Sequence, residues 1–118
     1  IKMKSDNLIQ DKTFQFALDV IEFYKQLVEE REFVLSKQLL KAGTSVGANV
    51  EEATAAQSRN DFINKLSIAS KESRETRYWL RLLEKSDLTT LSTKKLLSNI
   101  NDIINILTKI IITSKNKK

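Results

Sequence analysis

The sequence predicts an all-α fold, an antiparallel up-down-up-down bundle of four helices. Proline is absent and only two glycines occur among 118 residues, which favours long helices with short connections. Apolar residues also recur at steps of three and four in four separate stretches, the spacing that keeps side chains on one helical face. The length suits one domain, so we expect residues 1–118 to form a single bundle, with flexible polar ends at 1–10 and 114–118.

The first two helices are each predicted from one apolar row that is expected to face the core. The row of the first helix is Phe14, Ala17, Ile21, Tyr24 and Val28. The row of the second helix is Leu35, Leu39, Ala42, Val46, Asn49 and Ala53.

The third and fourth helices have more regular rows. That of the third is Phe62, Leu66, Ala69, Ser73, Thr76, Leu80 and Leu83. That of the fourth is Leu96, Ile100, Ile103, Leu107 and Ile110. Ser58, followed three residues later by Asp61, predicts an N-cap for the third helix, and Thr90 or Ser92 is the candidate cap of the fourth.

Three helices carry more apolar side chains than one core-facing row requires. The first adds a row about 110° away around its axis, and the third and fourth add flanking rows. Because a large exposed apolar surface usually marks association, we predict a homo-oligomer. A wider core-facing arc is the alternative. The predicted interface residues are Phe16, Val20, Phe23, Ile68, Trp79 and Leu82.

Small residues in the second helix include Gly43 and Gly47. Since glycine destabilises a helix by ~1 kcal/mol relative to alanine, this pair predicts close approach of another backbone. Asn49 lies on the predicted core row of the second helix, and Ser73 and Thr76 lie on that of the third. Buried polar groups need partners, so we expect these three residues to form a polar layer that sets the helix register. The alternative is a ligand site.

The composition removes several classes of chemistry. Cysteine and histidine are absent, which excludes disulfides, thiolate nucleophiles, Cys/His zinc sites and the usual general base at neutral pH. The pairs Glu72-x-x-Glu75 and Glu84-x-x-Asp87 have a spacing similar to the magnesium-binding carboxylates of all-α nucleotide pyrophosphatases. No helix breaker separates the pairs, so these acids would lie along one helix without converging. We expect no enzyme activity, cofactor, metal site or small-molecule substrate.

Charge and hydropathy predict the cellular location and the class of binding partner. Neither a leader nor an uninterrupted apolar run of ~18 residues is recognisable, so we expect a cytoplasmic protein without a membrane partner. Lys and Arg number 20 against 15 Asp and Glu, an excess that attracts polyanions at long range.

The third helix also carries a candidate binding surface. Five basic and aromatic residues there fall within about 80° of one another, and Arg77 lies nearby. This combination is suited to phosphate contacts and base stacking. A solvated face neutralised by Glu75 and Glu84, or salt bridges across a subunit interface, are the alternatives. The candidate residues are Lys71, Arg74, Arg77, Tyr78, Arg81 and Lys85.

The run from Ser36 to Lys85 closely resembles the bacterial four-helix bundle family first noticed as open reading frames within intervening sequences of 23S rRNA genes. The elements that carry the resemblance are Gly-Thr-Ser-Val-Gly-Ala-Asn at 43–49, Glu52, Asp61 with Phe62, and Ile68 with Ala69. Characterised members form barrel-like homopentamers. A related accessory protein of diversity-generating retroelements binds a reverse transcriptase and nucleic acid through a basic surface.

The expected function is therefore a non-enzymatic homo-oligomeric adaptor, pentameric according to the resemblance. It would bind RNA, DNA or a nucleic-acid enzyme such as a reverse transcriptase through its basic helical surface. The alternative is a structural or protein–protein interaction bundle with no nucleic-acid role.

Overall fold

The computed structural model describes residues 4–117, which form four α-helices. Helix α1 spans Lys4–Glu29, α2 spans Leu35–Thr54, α3 spans Arg59–Lys85 and α4 spans Lys94–Asn116. Both α1 and α3 are adjacent to α2 and α4, whereas no described Cα atom of α1 lies within 8 Å of one in α3. They therefore lie at opposite corners of a bundle measuring 50 × 21 × 20 Å. The predicted all-α four-helix bundle is confirmed.

The predicted core rows of α3 and α4 are confirmed. Phe62, at the start of the α3 row, is half-buried and packs against the core. The remaining residues of the two rows are buried, namely Leu66, Ala69, Ser73, Thr76, Leu80 and Leu83 on α3, and Leu96, Ile100, Ile103, Leu107 and Ile110 on α4.

The core row of α1 differs from the prediction. Phe14, at the start of the predicted row, is 62% exposed. Both rows of α1 advance by steps of three and four, so periodicity alone could not decide which row faces inward. From position 8 onward, the buried residues of α1 are Ile9, Thr13, Phe16, Val20, Phe23 and Leu27.

The choice between the two rows depends on α2, which approaches α1 closely at two glycines. A Cβ on Gly43 would lie 2.9 and 3.0 Å from the Val20 methyl carbons. A Cβ on Gly47 would lie 3.2 Å from the Thr13 carbonyl oxygen. A larger residue at either position would press against α1. The predicted close approach of another backbone is thus confirmed at Gly47, and that backbone belongs to α1.

The structure does not join Asn49, Ser73 and Thr76 in one polar layer. Asn49 is half-buried, and its Nδ2 donates to the Ser45 carbonyl oxygen within α2 (2.8 Å). Ser73 and Thr76 are fully buried, but each hydroxyl donates to the carbonyl four residues earlier in α3.

Asn49 does not reach Ser73 and Thr76 because these residues lie at different heights along the axis of the α2–α3 hairpin. Asn49 lies about 8 Å before the end of α2, whereas Ser73 lies about 21 Å beyond the start of α3, at ~1.5 Å per residue. Val50, the neighbour of Asn49, is buried in its place. The prediction was approximately right about which sides of α2 and α3 face the core. It was wrong about the axial positions of Asn49, Ser73 and Thr76.

The corner between α1 and α2 is closed by a Schellman motif. The N–H of Glu32 donates to the Leu27 carbonyl (2.9 Å), and that of Arg31 donates to the Val28 carbonyl (2.9 Å). Arg31 has a φ of 64°, the left-handed conformation that this position adopts. The motif places the buried Glu32 carboxylate where it accepts the N–H of Ser36 (2.6 Å). A negative charge is favoured at this N-terminus of α2.

The predicted cap of α3 is confirmed, because the N–H of Asp61 donates to Ser58 Oγ (3.1 Å). At the start of α4, the Ser92 hydroxyl accepts the N–H of Lys94 (3.3 Å). Thr90, the other candidate cap, bonds to Glu30 instead.

Helical structure extends into both segments predicted to be flexible ends. Helix α1 begins at Lys4 and α4 continues to Asn116, whereas positions 1–3 and 118 lie outside the described residues. By length and composition alone, α4 could also cross a membrane. Its apolar side packs in the bundle core here, and a core helix meets the same criterion.

Candidate nucleic-acid interface

The outward side of α3 carries most of the predicted binding residues. Because α3 is unbroken from Arg59 to Lys85, residues on this side point away from the buried row at 100° per residue. The set extends over about 21 Å of helix. We call these exposed residues the basic face: Lys71, Arg74, Tyr78, Arg81 and Lys85.

Three cations of the basic face have no ion pair. Among the described residues, no carboxylate oxygen lies within 4.0 Å of the charged nitrogens of Lys71, Arg74 or Arg81. Lys85 Nζ lies 3.9 Å from Glu84, with both side chains largely exposed, so this pair contributes little. Within the described part of the chain, the charges of Lys71, Arg74 and Arg81 are therefore not neutralised by an ion pair.

Arg77 is placed differently from the other predicted binding residues. It is half-buried, and its Nη1 donates to Oδ1 of Asn101 on α4 (3.1 Å). This bond ties α3 to α4 at the edge of the basic face. Arg77 therefore belongs to the seam between the two helices more than to the open surface.

Tyr78 and Trp79 form an aromatic pair beside the cations. Their ring centroids are 5.3 Å apart with an interplanar angle of 67°, an edge-to-face arrangement. Tyr78 is 55% exposed, whereas Trp79 packs against the core. The Trp79 Nε1 is buried without a hydrogen-bond partner among the described residues. The pair thus has one ring anchored in the bundle and one ring in solvent.

Acidic residues border the basic face on one flank of α3. Burial, followed by the charge of Glu75 and a hydrogen bond with it, raises the pKa of the Glu72 carboxyl, while Lys71 and Lys41 oppose this shift. Glu84 lies further along α3, as predicted, so it does not converge with Glu72 and Glu75, whereas Asp87 lies beyond the end of α3 at Lys85. Within residues 4–117, no group of three or more His, Cys, Asp or Glu side chains is placed to hold a metal ion.

The structure divides the predicted oligomer interface into two parts. Phe16, Val20 and Phe23 lie in the bundle's own core, so they offer no surface to another subunit. This corrects the prediction for α1. On α3, the remaining members are half-buried along its flank, namely Ile68, Trp79 and Leu82.

An exposed apolar strip on α1 includes Phe14 and Ile21, which were predicted to face the core, and Leu18, which belonged to neither predicted row. Phe14 is 62% exposed and Leu18 is 43% exposed, and half-buried Ile21 follows at helical spacing. We call these three residues the α1 strip. The sequence contained a signal for an exposed apolar surface on α1, because this helix carries two apolar rows. The row that was predicted to be an interface is buried, and Phe14 of the predicted core row is exposed.

Comparison with known proteins finds similarity to a protein family and to solved structures. The family described as 23S rRNA-intervening sequence protein matches residues 5–109. A crystal structure of a protein with unknown function from the S23 ribosomal protein family of Bacteroides thetaiotaomicron has 48% sequence identity to this chain. The match covers 91% of this chain and 97% of that chain, with a TM-score of 0.87. Among curated proteins, none is significantly similar.

Proposed function

The chain belongs to the 23S rRNA-intervening sequence protein family, and we propose that it is a non-enzymatic, homo-oligomeric adaptor that binds nucleic acid through the basic face of α3. One observation carries the proposal. Lys71, Arg74 and Arg81 share an exposed side of one helix and have no ion-pair partner among the described residues.

Geometry supports phosphate as the ligand of this face. Arg74 and Arg81 lie two turns apart on the same side of α3, about 10 Å along the axis, so both can contact one phosphate backbone. The planar guanidinium group binds phosphate through two parallel hydrogen bonds. The net charge of +5 adds long-range attraction to a polyanion.

The α1 strip supports the oligomeric part of the proposal. It exposes Phe14 and Leu18 on the helix diagonally opposite α3. A second copy that covers this strip would therefore leave the basic face open. Each subunit would then contribute one basic face, and several faces on one assembly raise the overall affinity for a long polyanion.

Charge reversal on α3 tests the nucleic-acid role. Arg74→Glu combined with Arg81→Glu should abolish binding of labelled RNA and DNA in anisotropy titrations, because each change removes a phosphate contact and adds repulsion. Helicity and oligomer size should stay unchanged. The matched control is Lys37→Glu with Lys95→Glu, which makes the same change in net charge at exposed positions on α2 and α4.

Titrations at several salt concentrations give the number of contacts. For four phosphates, log Kd should rise with log salt concentration with a slope of about 3 to 4. Equal losses in the reversal and control variants would contradict a specific role for the basic face. Dissociation of the assembly by the α3 reversal would mean that these cations bridge subunits, which favours a purely structural bundle.

A further inference from the structure

Tyr78 lies at the centre of the basic face. Arg74 precedes it by one turn of α3, and Arg81 follows by nearly one turn. The tyrosine side chain is 55% exposed. A large aromatic surface is thus presented to solvent between two guanidinium groups.

Trp79 holds the tyrosine ring in place from one side. Its ring meets that of Tyr78 edge-to-face at 5.3 Å and is itself packed against the core. Because the Tyr78 side chain is still 55% exposed, this contact leaves much of the tyrosine ring uncovered. The supported ring therefore loses little conformational freedom when a flat ligand packs on its open surface.

The bundle shape disfavours deep contact with a duplex. Helix α3 is flanked along its length by α2 and α4, in a bundle that is 20 to 21 Å wide. The major groove of B-DNA is only about 12 Å wide. A duplex could thus meet the basic face through its phosphates, but its stacked bases would stay out of reach of Tyr78.

Building on the proposed function, we infer that the basic face selects single-stranded nucleic acid, with Tyr78 stacking on an unpaired base while Arg74 and Arg81 bind phosphates on either side. Unpaired bases can turn outward and stack on an aromatic side chain, and every base has a face suited to this contact. The preference for particular nucleotide sequences should be weak, because stacking makes no hydrogen bonds to the base edges that distinguish one base from another.

The test replaces the ring while leaving the charges intact. Tyr78→Leu should weaken binding of a single-stranded oligonucleotide of about 12 nucleotides by about 5- to 150-fold, the effect of losing one base–aromatic stack. Tyr78→Phe should retain the affinity. A duplex of the same length should bind Tyr78→Leu as it binds the wild type. Phe33→Leu is the matched control, since Phe33 is 52% exposed but lies in the α1–α2 connection.

Intrinsic fluorescence provides a second readout. Trp79 is the single tryptophan of the chain and adjoins the Tyr78 ring, so a stacked base should alter its emission in the wild type and much less in Tyr78→Leu. Equal loss of single-strand and duplex affinity, or no loss at all, in Tyr78→Leu would overturn the inference while leaving the proposed function intact. If the wild type bound neither the single-stranded nor the duplex oligonucleotide, both the inference and the proposed function would be overturned.

Discussion

Glu30 and Glu32 are two residues apart in the corner after α1, and their carboxylates accept hydrogen bonds from different parts of the bundle. Glu32 caps α2, whereas the Glu30 carboxylate accepts hydrogen bonds from the hydroxyls of Thr89 and Thr90 in the α3–α4 connection. The Thr89 bond, followed by the Thr90 bonds, lowers the pKa of Glu30 below its usual value of 4.5. One carboxylate thus links two connections that are distant in sequence.

This link predicts a pH-dependent contribution of Glu30 to stability. A carboxyl whose pKa is lowered by folding stabilises the folded state above its unfolded pKa, and this contribution is lost as pH falls through the folded pKa. Glu30→Gln should therefore unfold at a lower urea concentration than the wild type at pH 7. The two urea midpoints should converge at a pH below the folded pKa of Glu30.

Glu29→Gln serves as the control for Glu30. Glu29 is an exposed neighbour, and its replacement should leave the midpoint at pH 7 unchanged. A Glu30→Gln midpoint that differs from the wild type by the same amount at every pH would show that the carboxylate charge is not what stabilises this corner.

At the scale of helices, the α1–α2 contact determines the orientation of α1. Gly43 and Gly47 leave room for Val20 and for the backbone at Thr13, so this side of α1 must face α2 and the core. The same rotation turns Phe14 outward. Two small residues on one helix therefore decide which of two apolar rows on its neighbour is buried.

A double-mutant cycle tests the fit between Gly43 and Val20. Gly43→Ala should destabilise the bundle, since overpacking costs about 1 to 3 kcal/mol and outweighs a gain in helix propensity of ~1 kcal/mol. In a Val20→Ala background the clashing methyl groups are gone. There, Gly43→Ala should become stabilising by up to about 1 kcal/mol in urea unfolding.

Gly47→Ala is the comparison for this cycle. Its Cβ would meet the Thr13 backbone, which Val20→Ala does not remove, so its effect should be the same in both backgrounds. If Gly43→Ala also had the same effect in both, direct contact with Val20 would not be the reason for glycine at this position.

At the scale of the whole molecule, two unlike surfaces lie at opposite corners of the bundle. The basic face occupies α3, and the α1 strip occupies the helix diagonally opposite α3. The sequence indicated both an excess of positive charge and an excess of apolar side chains. Their diagonal separation became visible only in the folded bundle, and under the proposed function it would let association and polyanion binding proceed together.

The proposed assembly predicts different results for the two apolar rows of α1. Phe14→Glu combined with Leu18→Glu should convert an oligomer into a folded monomer, measured by light scattering at micromolar concentration and by circular dichroism. Phe16→Glu should unfold the bundle instead, because Phe16 is 2% exposed and losing such a side chain costs about 3 to 5 kcal/mol even without a buried charge.

Phe33→Glu with Val34→Glu is the matched control for the α1 strip, since both residues are exposed but lie in the α1–α2 connection. This variant should retain the oligomer. A wild-type monomer under the same conditions, or equal dissociation of both double variants, would rule out the α1 strip as a subunit interface.

The features predictable from sequence are those that depend on residues close together in the chain. Helix spacing was enough to identify the four helices and to place Lys71, Arg74 and Arg81 on one side of α3. The Ser58 cap was predictable because it involves a residue only three positions away. In each case the geometry of a single helix determines the answer.

Only the tertiary structure decided how the helices are rotated and offset against one another. A periodic row fixes the angles between its own members, but not which of two rows on α1 turns toward the core. It also does not fix the level at which Asn49 meets α3. Both depend on contacts such as that between Gly43 and Val20, where packing of residues distant in sequence selects one of several arrangements that local periodicity allows.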